Sequence, residues 1–276
     1  IEVNATTGIR FRFRNAGVLD EYFFPRIDGA TDQVLTTNGS GVLSWETPFN
    51  ILWYDESNIA SALAPSATGT GSIAMGDGAK ALSSEMFVYG TNAGTGSTNT
   101  FASIFIGNYT GASATNAMLS IFLGNHAGEN AVGAEHSNFF GDYAGQGASG
   151  SNNSNFIGGG AGLLALNSEY SNFIGDYAGA EAENATSSIF LGTSAGYRTL
   201  SASNSIFIGN GSGCYDTVDN TLSPNDNSIL IGYSTNTGGF SNSIALGGFA
   251  ANTASNQFMI GSAARPVDTT VWKGSA

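Results

Sequence analysis

Every 17 residues this chain returns to the same short phrase. A glycine closes a β-rich run such as "IFIG" or "NFFG" at Gly90, Gly107, Gly124, Gly141, Gly158, Gly175, Gly192 and Gly209, and all seven intervals are 17 residues. Gly76 lies 14 before the first, and Gly232, Gly247 and Gly261 follow at 23, 15 and 14. A constant period without insertions is the signature of a repeat architecture in which each unit packs only on its neighbours. It is also why "SNFFGDYAG" at Ser137–Gly145 returns as "SNFIGDYAG" at Ser171–Gly179, two periods later.

Aligned on that glycine, the unit reads S-[I/N]-F-[I/L/F]-G-x-x-[A/T/S]-G. The phenylalanine two before the mark stands at Phe105, Phe122, Phe139, Phe156, Phe173, Phe190 and Phe207. A serine stands four before it from Ser103 to Ser205, and a second glycine four after it from Gly94 to Gly213. A further small-residue segment follows near Ala114, Ala131, Ala148, Ala165 and Ala182. Seventeen residues hold two short strands and two tight turns, and are too few for a strand plus a proper helix. The pattern predicts one coil of a β-solenoid, stacked on its neighbours at about 4.8 Å.

Strand side chains alternate between faces, so each phenylalanine opposes neighbours such as Ile104 and Ile106, and both faces are apolar. One face fills the thin interior; the other needs a cover. The seven phenylalanines are expected on the uncovered face, where they expose on the order of 1,000 Å², more than a soluble monomer tolerates in one patch, so a partner must cover that stripe. A homo-oligomer wound about the stacking axis is then expected, with the Phe ladder at its interface. The alternative is a monomeric coil wide enough to take phenylalanine and isoleucine from different walls.

Composition limits the function classes. Of 276 residues 39 are glycine, 11% are charged and 41% are hydrophobic, so little helix is expected. Net charge is −13, from 21 acidic and 8 basic residues, and between Ala81 and Ala264 the only basic side chain is Arg198. A surface so poor in cations does not suit phosphate backbones or anionic membranes, and no partner of either kind is expected. No stretch approaches 18 apolar residues, so no membrane insertion is expected. Cys214 is the only cysteine, which excludes an internal disulfide. The opening "IEVNATTG" has no initiator Met and no signal peptide, and reads as a processed product or fragment.

The units at "SIAMGDGAKA" (Ser72–Ala81) and "NSIALGGFA" (Asn242–Ala250) resemble the head repeats of trimeric autotransporter adhesins, a left-handed parallel β-roll with units near "S-V-A-I-G". The resemblance covers roughly residues 70 to 262, with phenylalanine replacing the small middle residue in the 17-residue units. "FPRIDGATDQVLTTNGSGVLSW" (Phe24–Trp45) resembles a module of phage tail fibres of the form "DG…GQVL.T.G.G.L.W". Asp28, Gly29, Gln33, Val34, Leu35, Thr37, Gly39, Gly41, Leu43 and Trp45 match it, and Asp32 replaces the usual glycine. "NQFMIGSAARPVDTTVWKG" (Asn256–Gly274) looks like the shaft end that precedes a C-terminal chaperone in many tail fibres, which implies a chaperone cleaved off or lying beyond this sequence.

Together these imply an all-β fold: a parallel β-solenoid or β-roll of 14–17-residue repeats, a fibrous homotrimer, with a small β N-terminal module. Residues 1–57 are expected to form that module and a cap, 58–70 a linker, 71–262 the repeat shaft and 263–276 an exit segment. Within the first, "IRFRFRN" reads as an exposed-edge strand, "TTNGSG" as a hairpin turn between "QVL" and "VLSW", and "FNILWYDES" as the seal on the first coil. The implied role is a structural and adhesive fibre of a phage tail that mediates host-surface attachment, extracellular or on the virion. A bacterial surface adhesin of the trimeric autotransporter kind is the alternative, and a polysaccharide-degrading tailspike a third.

Candidate chemistry is sparse. His126 and His136 are the only histidines, and no H-E-x-x-H, G-x-S-x-G or Walker pattern is present, so no enzyme, cofactor or metal site is expected. Glu181 and Glu183 offer a carboxylate pair of the kind glycosidases use, but they stand where other units carry turn residues. The 23-residue interval holds Asp216, Asp219 and Asp226 without the spacing of a calcium loop. The candidate binding ladder lies two residues after the mark, at Tyr109, His126, Tyr143 and Tyr177, with Asp142 and Asp176 beside the last two. Rings next to carboxylates suit a host cell-surface glycan, and a protein receptor is the other possible partner. The ordinary alternative is that turn rings pack on their neighbours one rung away. Meeting at a threefold axis, His126 would instead bind a metal or anion.

Overall fold

A computed structural model describes residues 2–4, 8–15, 18–25, 30, 33–37, 40, 42–46, 64–214, 227–263 and 266. It divides into two compact units, Ile1–Leu52 and Trp53–Ala276. Among the described residues there is no helix, hence none long and apolar enough to cross a membrane.

In the first unit, β1 (Glu2–Asn4), β2 (Gly8–Asn15) and β3 (Val18–Phe24) form an antiparallel sheet in that order. The strand expected at a sheet edge, β2, is therefore the central one. It pairs with β3 over seven residues, from Ile9↔Phe24 to Asn15↔Val18, while β1 takes its other side. β4 (Val34–Thr37) pairs antiparallel with β5 (Leu43–Glu46), the two strands between which the sequence expects a hairpin turn.

The second unit is a parallel β-solenoid. Its first rung begins with β6 (Ser66–Ala67), inside the 58–70 segment read as a linker, which pairs in parallel with β8 (Lys80–Ala81). Then β7 (Ile73–Met75), β9 (Phe87–Tyr89) and ten further three-residue strands stack into one 12-stranded sheet. Those ten are β10 (Ile104–Ile106), β11 (Ile121–Leu123), β12 (Asn138–Phe140), β13 (Asn155–Ile157), β14 (Asn172–Ile174), β15 (Ile189–Leu191), β16 (Ile206–Ile208), β17 (Ile229–Ile231), β18 (Ile244–Leu246) and β19 (Phe258–Ile260). Every pair is parallel and in register, Phe105 beside Phe122 beside Phe139, so the stack is about 53 Å tall at the spacing of paired strands.

The second strand expected in each coil is reduced to a single bridging position, the line Thr98, Thr115, Val132, Ser149, Leu166, Glu183 and Leu200. The reason is local. Around Thr115 the chain turns left-handed on both sides, at Ser113 (φ 56) and Asn116 (φ 54), and an extended run cannot grow between them. Between the main strand and this bridge run turns closed by N–H to C=O bonds three residues apart, such as Ala112 to Tyr109 and Ala114 to Gly111. Each has a residue with positive φ at its third position, as a type II turn requires.

The phenylalanines face inward, which corrects the expectation that they form an exposed stripe for a partner to cover. All seven from Phe105 to Phe207 are 0% exposed. Their rings stack rung on rung, with centroids 4.6–5.0 Å apart and planes within 9°. The other walls explain why. Each coil turns alanines inward, Ala144 and Ala148 for example, and its second glycine presents bare backbone to the ring. The interior thus has room for one large side chain per coil, and phenylalanine takes it. Where intervals shorten to 14 or 15 residues the same position holds Ala74, Val88, Leu230, Ala245 or Met259 in place of phenylalanine.

A serine column closes each coil. Ser154 Oγ donates to Ser168 O at 2.7 Å and accepts from the backbone N–H of Ser171 at 3.1 Å. The N–H to Oγ contact repeats rung by rung from Ser103 to Ser243. These serines are buried, so each hydroxyl satisfies two backbone groups that water does not reach.

Candidate functional site

The ladder two residues past the mark is built by the turn itself. Tyr109, His126, Tyr143 and Tyr177 have φ of 55, 58, 60 and 55, and this left-handed corner throws their side chains off the coil. Because the rungs are in register, the rings stack. Tyr109 lies on His126 and His126 on Tyr143, each at 5.1 Å between centroids with planes within 2°. Tyr109, Tyr143 and Tyr177 remain exposed, Tyr143 at 43%. The next rung carries Gly160, which interrupts the ladder, and Tyr177 leans into the space. A β-carbon on Gly160 would stand 2.9 Å from Tyr177 Cδ1.

The residues before the rings are partly structural. Asp142 Oδ1 accepts the N–H of Asn125 at 3.1 Å, and Asp176 Oδ1 accepts that of Gly159 at 3.1 Å. Each carboxylate thus ties its own rung to the one below while standing on the same exposed corner as the rings. Asn108 does the same for Thr91 at 3.3 Å.

Two polar groups that the sequence reading passed over join the ladder. His126 Nδ1 is 2.6 Å from Glu129 Oε2, and the same oxygen accepts from Gln146 Nε2 at 2.7 Å. Their signal was spacing: Glu129 follows His126 by three, and Gln146 follows Glu129 by one period. The result is a flat aromatic strip, three rings high, with the Glu129 carboxylate and Gln146 amide bonded at its His126 ring and Asp142 next to Tyr143 in the chain. Such a strip offers apolar ring faces and hydroxyl-matching polar groups together.

The remaining candidates separate from it. His136 Nδ1 stands 3.9 Å from Glu135 Oε1, on the corner that leads into the strand. Glu181 is held by Arg198, with Nε to Oε2 at 2.8 Å and Nη2 to Oε1 at 3.1 Å, and by the Tyr197 hydroxyl at 3.2 Å. The Arg198 hydrogen bond holds the Glu181 carboxyl below its ordinary value of 4.5. Glu183 lies on the bridging line between Leu166 and Leu200. Among the described residues, no three His, Cys, Asp or Glu side chains gather as a metal site would need. Asp216, Asp219 and Asp226, and the "FNILWYDES" stretch at 49–57, lie outside the described residues. Burial pushes the Cys214 thiol up from its usual pKa.

The outer face of the main sheet is a long apolar surface. The first and third residues of its 12 strands make 24 positions, of which 21 are apolar or aromatic, three are asparagine and none is charged. Ile157 and Leu191 are 36% and 41% exposed there. No protein-family model matches the chain, and a search of curated proteins finds no match to it.

Proposed function

We propose that the protein is a non-enzymatic structural and adhesive fibre, a component of a phage tail fibre that carries host-surface attachment, and that it works as a homotrimer. The observation that carries this reading is the uncharged outer face of the 12-stranded sheet. An uncharged, mostly apolar strip of this length exceeds what a soluble monomer leaves bare, and a chain whose rungs repeat the strip is matched most simply by copies of itself around an axis parallel to the stack. The partner-covered ladder is thus the isoleucine and leucine one. The adhesive part is the exposed strip of Tyr109, His126 and Tyr143 with Asp142, and beyond the gap Asp176 and Tyr177, offered to a surface glycan.

The reading as a trimeric autotransporter adhesin has one observation in its favour. The short coils at Ile73–Met75 and Ile244–Leu246, which carry that resemblance, continue the same sheet as the 17-residue coils. Both readings predict a trimer that binds through its corners. The test is binding of the assembled protein to a panel of bacterial surface polysaccharides, with Tyr143→Ala and Tyr177→Ala as paired variants. The proposal expects binding to fall at least tenfold in the variants while their mass stays that of the parent. Binding that is unchanged, or release of reducing ends from the polysaccharide, contradicts it.

A further inference from the structure

The apolar outer face carries one polar interruption, and it is a block. Asn138, Asn155 and Asn172 occupy the first strand position on three successive rungs, between Ile121 below and Ile189 above. Their amides run head to tail: Asn138 Nδ2 donates to Asn155 Oδ1 at 2.7 Å, and Asn155 Nδ2 donates to Asn172 Oδ1 at 2.8 Å. That chain uses one N–H or one lone pair per contact, and an amide offers two of each.

We propose that a second copy of this chain covers the face with its rungs level, and that the Asn138, Asn155 and Asn172 block sets the register. This rests on the assembly reading above. The occupant is argued from area and charge. Full burial of an apolar side chain represents about 60–120 Å², so the 21 partly exposed aliphatic and aromatic side chains offer on the order of 600–900 Å² per copy. One partner in a standard interface contributes about 800 Å². The face has no charge to attract a different partner, and it matches its own pattern rung for rung.

Without the asparagines, such a face would slide. Isoleucine or leucine fills both positions on the rungs flanking the block, β10 and β11 below and β15 to β18 above, and there a shift of one rung, about 4.8 Å, sets like against like again. The block removes that degeneracy. In level register, around an axis parallel to the stack, each amide meets the same amide of the next copy and their remaining N–H and C=O groups pair. A slip of one rung strands one amide at each end of the block against isoleucine. Each stranded polar group disfavours the slipped state by on the order of tenfold. One polar position in an otherwise apolar seam sets register in coiled coils by the same reasoning.

The experiment is disulfide trapping in the full chain carrying Cys214→Ser. Ile189→Cys and Leu191→Cys each report level rungs by linking to themselves. Co-expressing differently tagged Ile189→Cys and Ile206→Cys chains reports a one-rung slip, and pairing Ile189→Cys with Ile121→Cys reports an antiparallel arrangement. The proposal expects level links to exceed slipped links at least tenfold. In the Asn138→Ile, Asn155→Ile, Asn172→Ile triple variant, which copies the neighbouring rungs, the mass is expected to persist and slipped links to become comparable to level ones. A triple variant that keeps only level links overturns the register role, as do dominant antiparallel links or an oligomer that does not link through this face. A monomer mass for the parent chain overturns the assembly reading itself, a distinct outcome.

Discussion

Gly162 lies flat against Phe156. A β-carbon built on Gly162 would fall inside the van der Waals envelope of that ring, nearest Cδ2, Cε2 and Cγ, and its φ of +62 is one that L side chains rarely adopt. The same pair recurs as Gly145 with Phe139 and Gly179 with Phe173. Two residues of the repeat that look like separate conserved-looking marks are therefore one packing unit, a ring and the bare backbone it rests on. Gly162→Ala should lower stability by about 2–4 kcal/mol, combining overpacking with left-handed strain. Gly133→Ala, with nothing nearer than 3.8 Å, should cost about 1–2 kcal/mol from strain alone. Urea denaturation midpoints of the two variants measure the difference.

Phe156 and its neighbour Ile157 should separate folding from assembly. Phe156→Ala should cost about 3–5 kcal/mol, since it empties the one large slot of its coil. Phe156→Asp should prevent the coil from forming rather than merely block association. Ile157→Asp should leave circular dichroism unchanged and reduce the mass in solution.

Ser154→Ala should cost about 1–3 kcal/mol despite removing a single oxygen. It leaves the Ser171 N–H and the Ser168 carbonyl without their shared partner in a buried place. Hydrogen exchange at Ser171 should accelerate in the variant, while exchange four rungs away stays unchanged, because each repeat is tied to its neighbours.

The Glu181 and Arg198 pair gives an acid-side dependence of known sign. The folded carboxyl titrates below its ordinary value of 4.5, so the pair's contribution is present above that value and is lost as pH falls through the lowered one. Both side chains are more than a third exposed, so the contribution stays within about 1 kcal/mol. Arg198→Ala should flatten the loss of thermal stability between neutral pH and pH 3, measured at low salt.

Much of the solenoid was legible in the period alone. In-register parallel stacking follows from a constant interval, and the antiparallel pairing of β4 with β5 from the glycine-rich segment between them. Alternation told which residues share a face but not which face is inside. The answer lay in the small residues around the coil, Ala144, Gly145 and Ala148 in one unit, which leave a single large space. The left-handed corners were half-written in the sequence. The column of Asn99, Asn116, Gly133, Gly150, Asn167 and Asn184 names its own backbone. Leu164 and Tyr170, left-handed with φ of 56 and 57, do not, because rung-to-rung hydrogen bonding imposes the corner on any side chain placed there. The stacked rings were visible as a column, whereas Glu129 and Gln146 joined them only once the rungs were in register.

The trimer proposal requires further copies of this chain to cover the outer isoleucine and leucine face. Light scattering of the full chain at micromolar concentration tests it most directly. A trimer scatters with a mass of three times 28.2 kDa, falling to 28.2 kDa in an Ile157→Asp, Leu191→Asp double variant that keeps its circular dichroism. A parent chain that scatters as a 28.2 kDa monomer would contradict it.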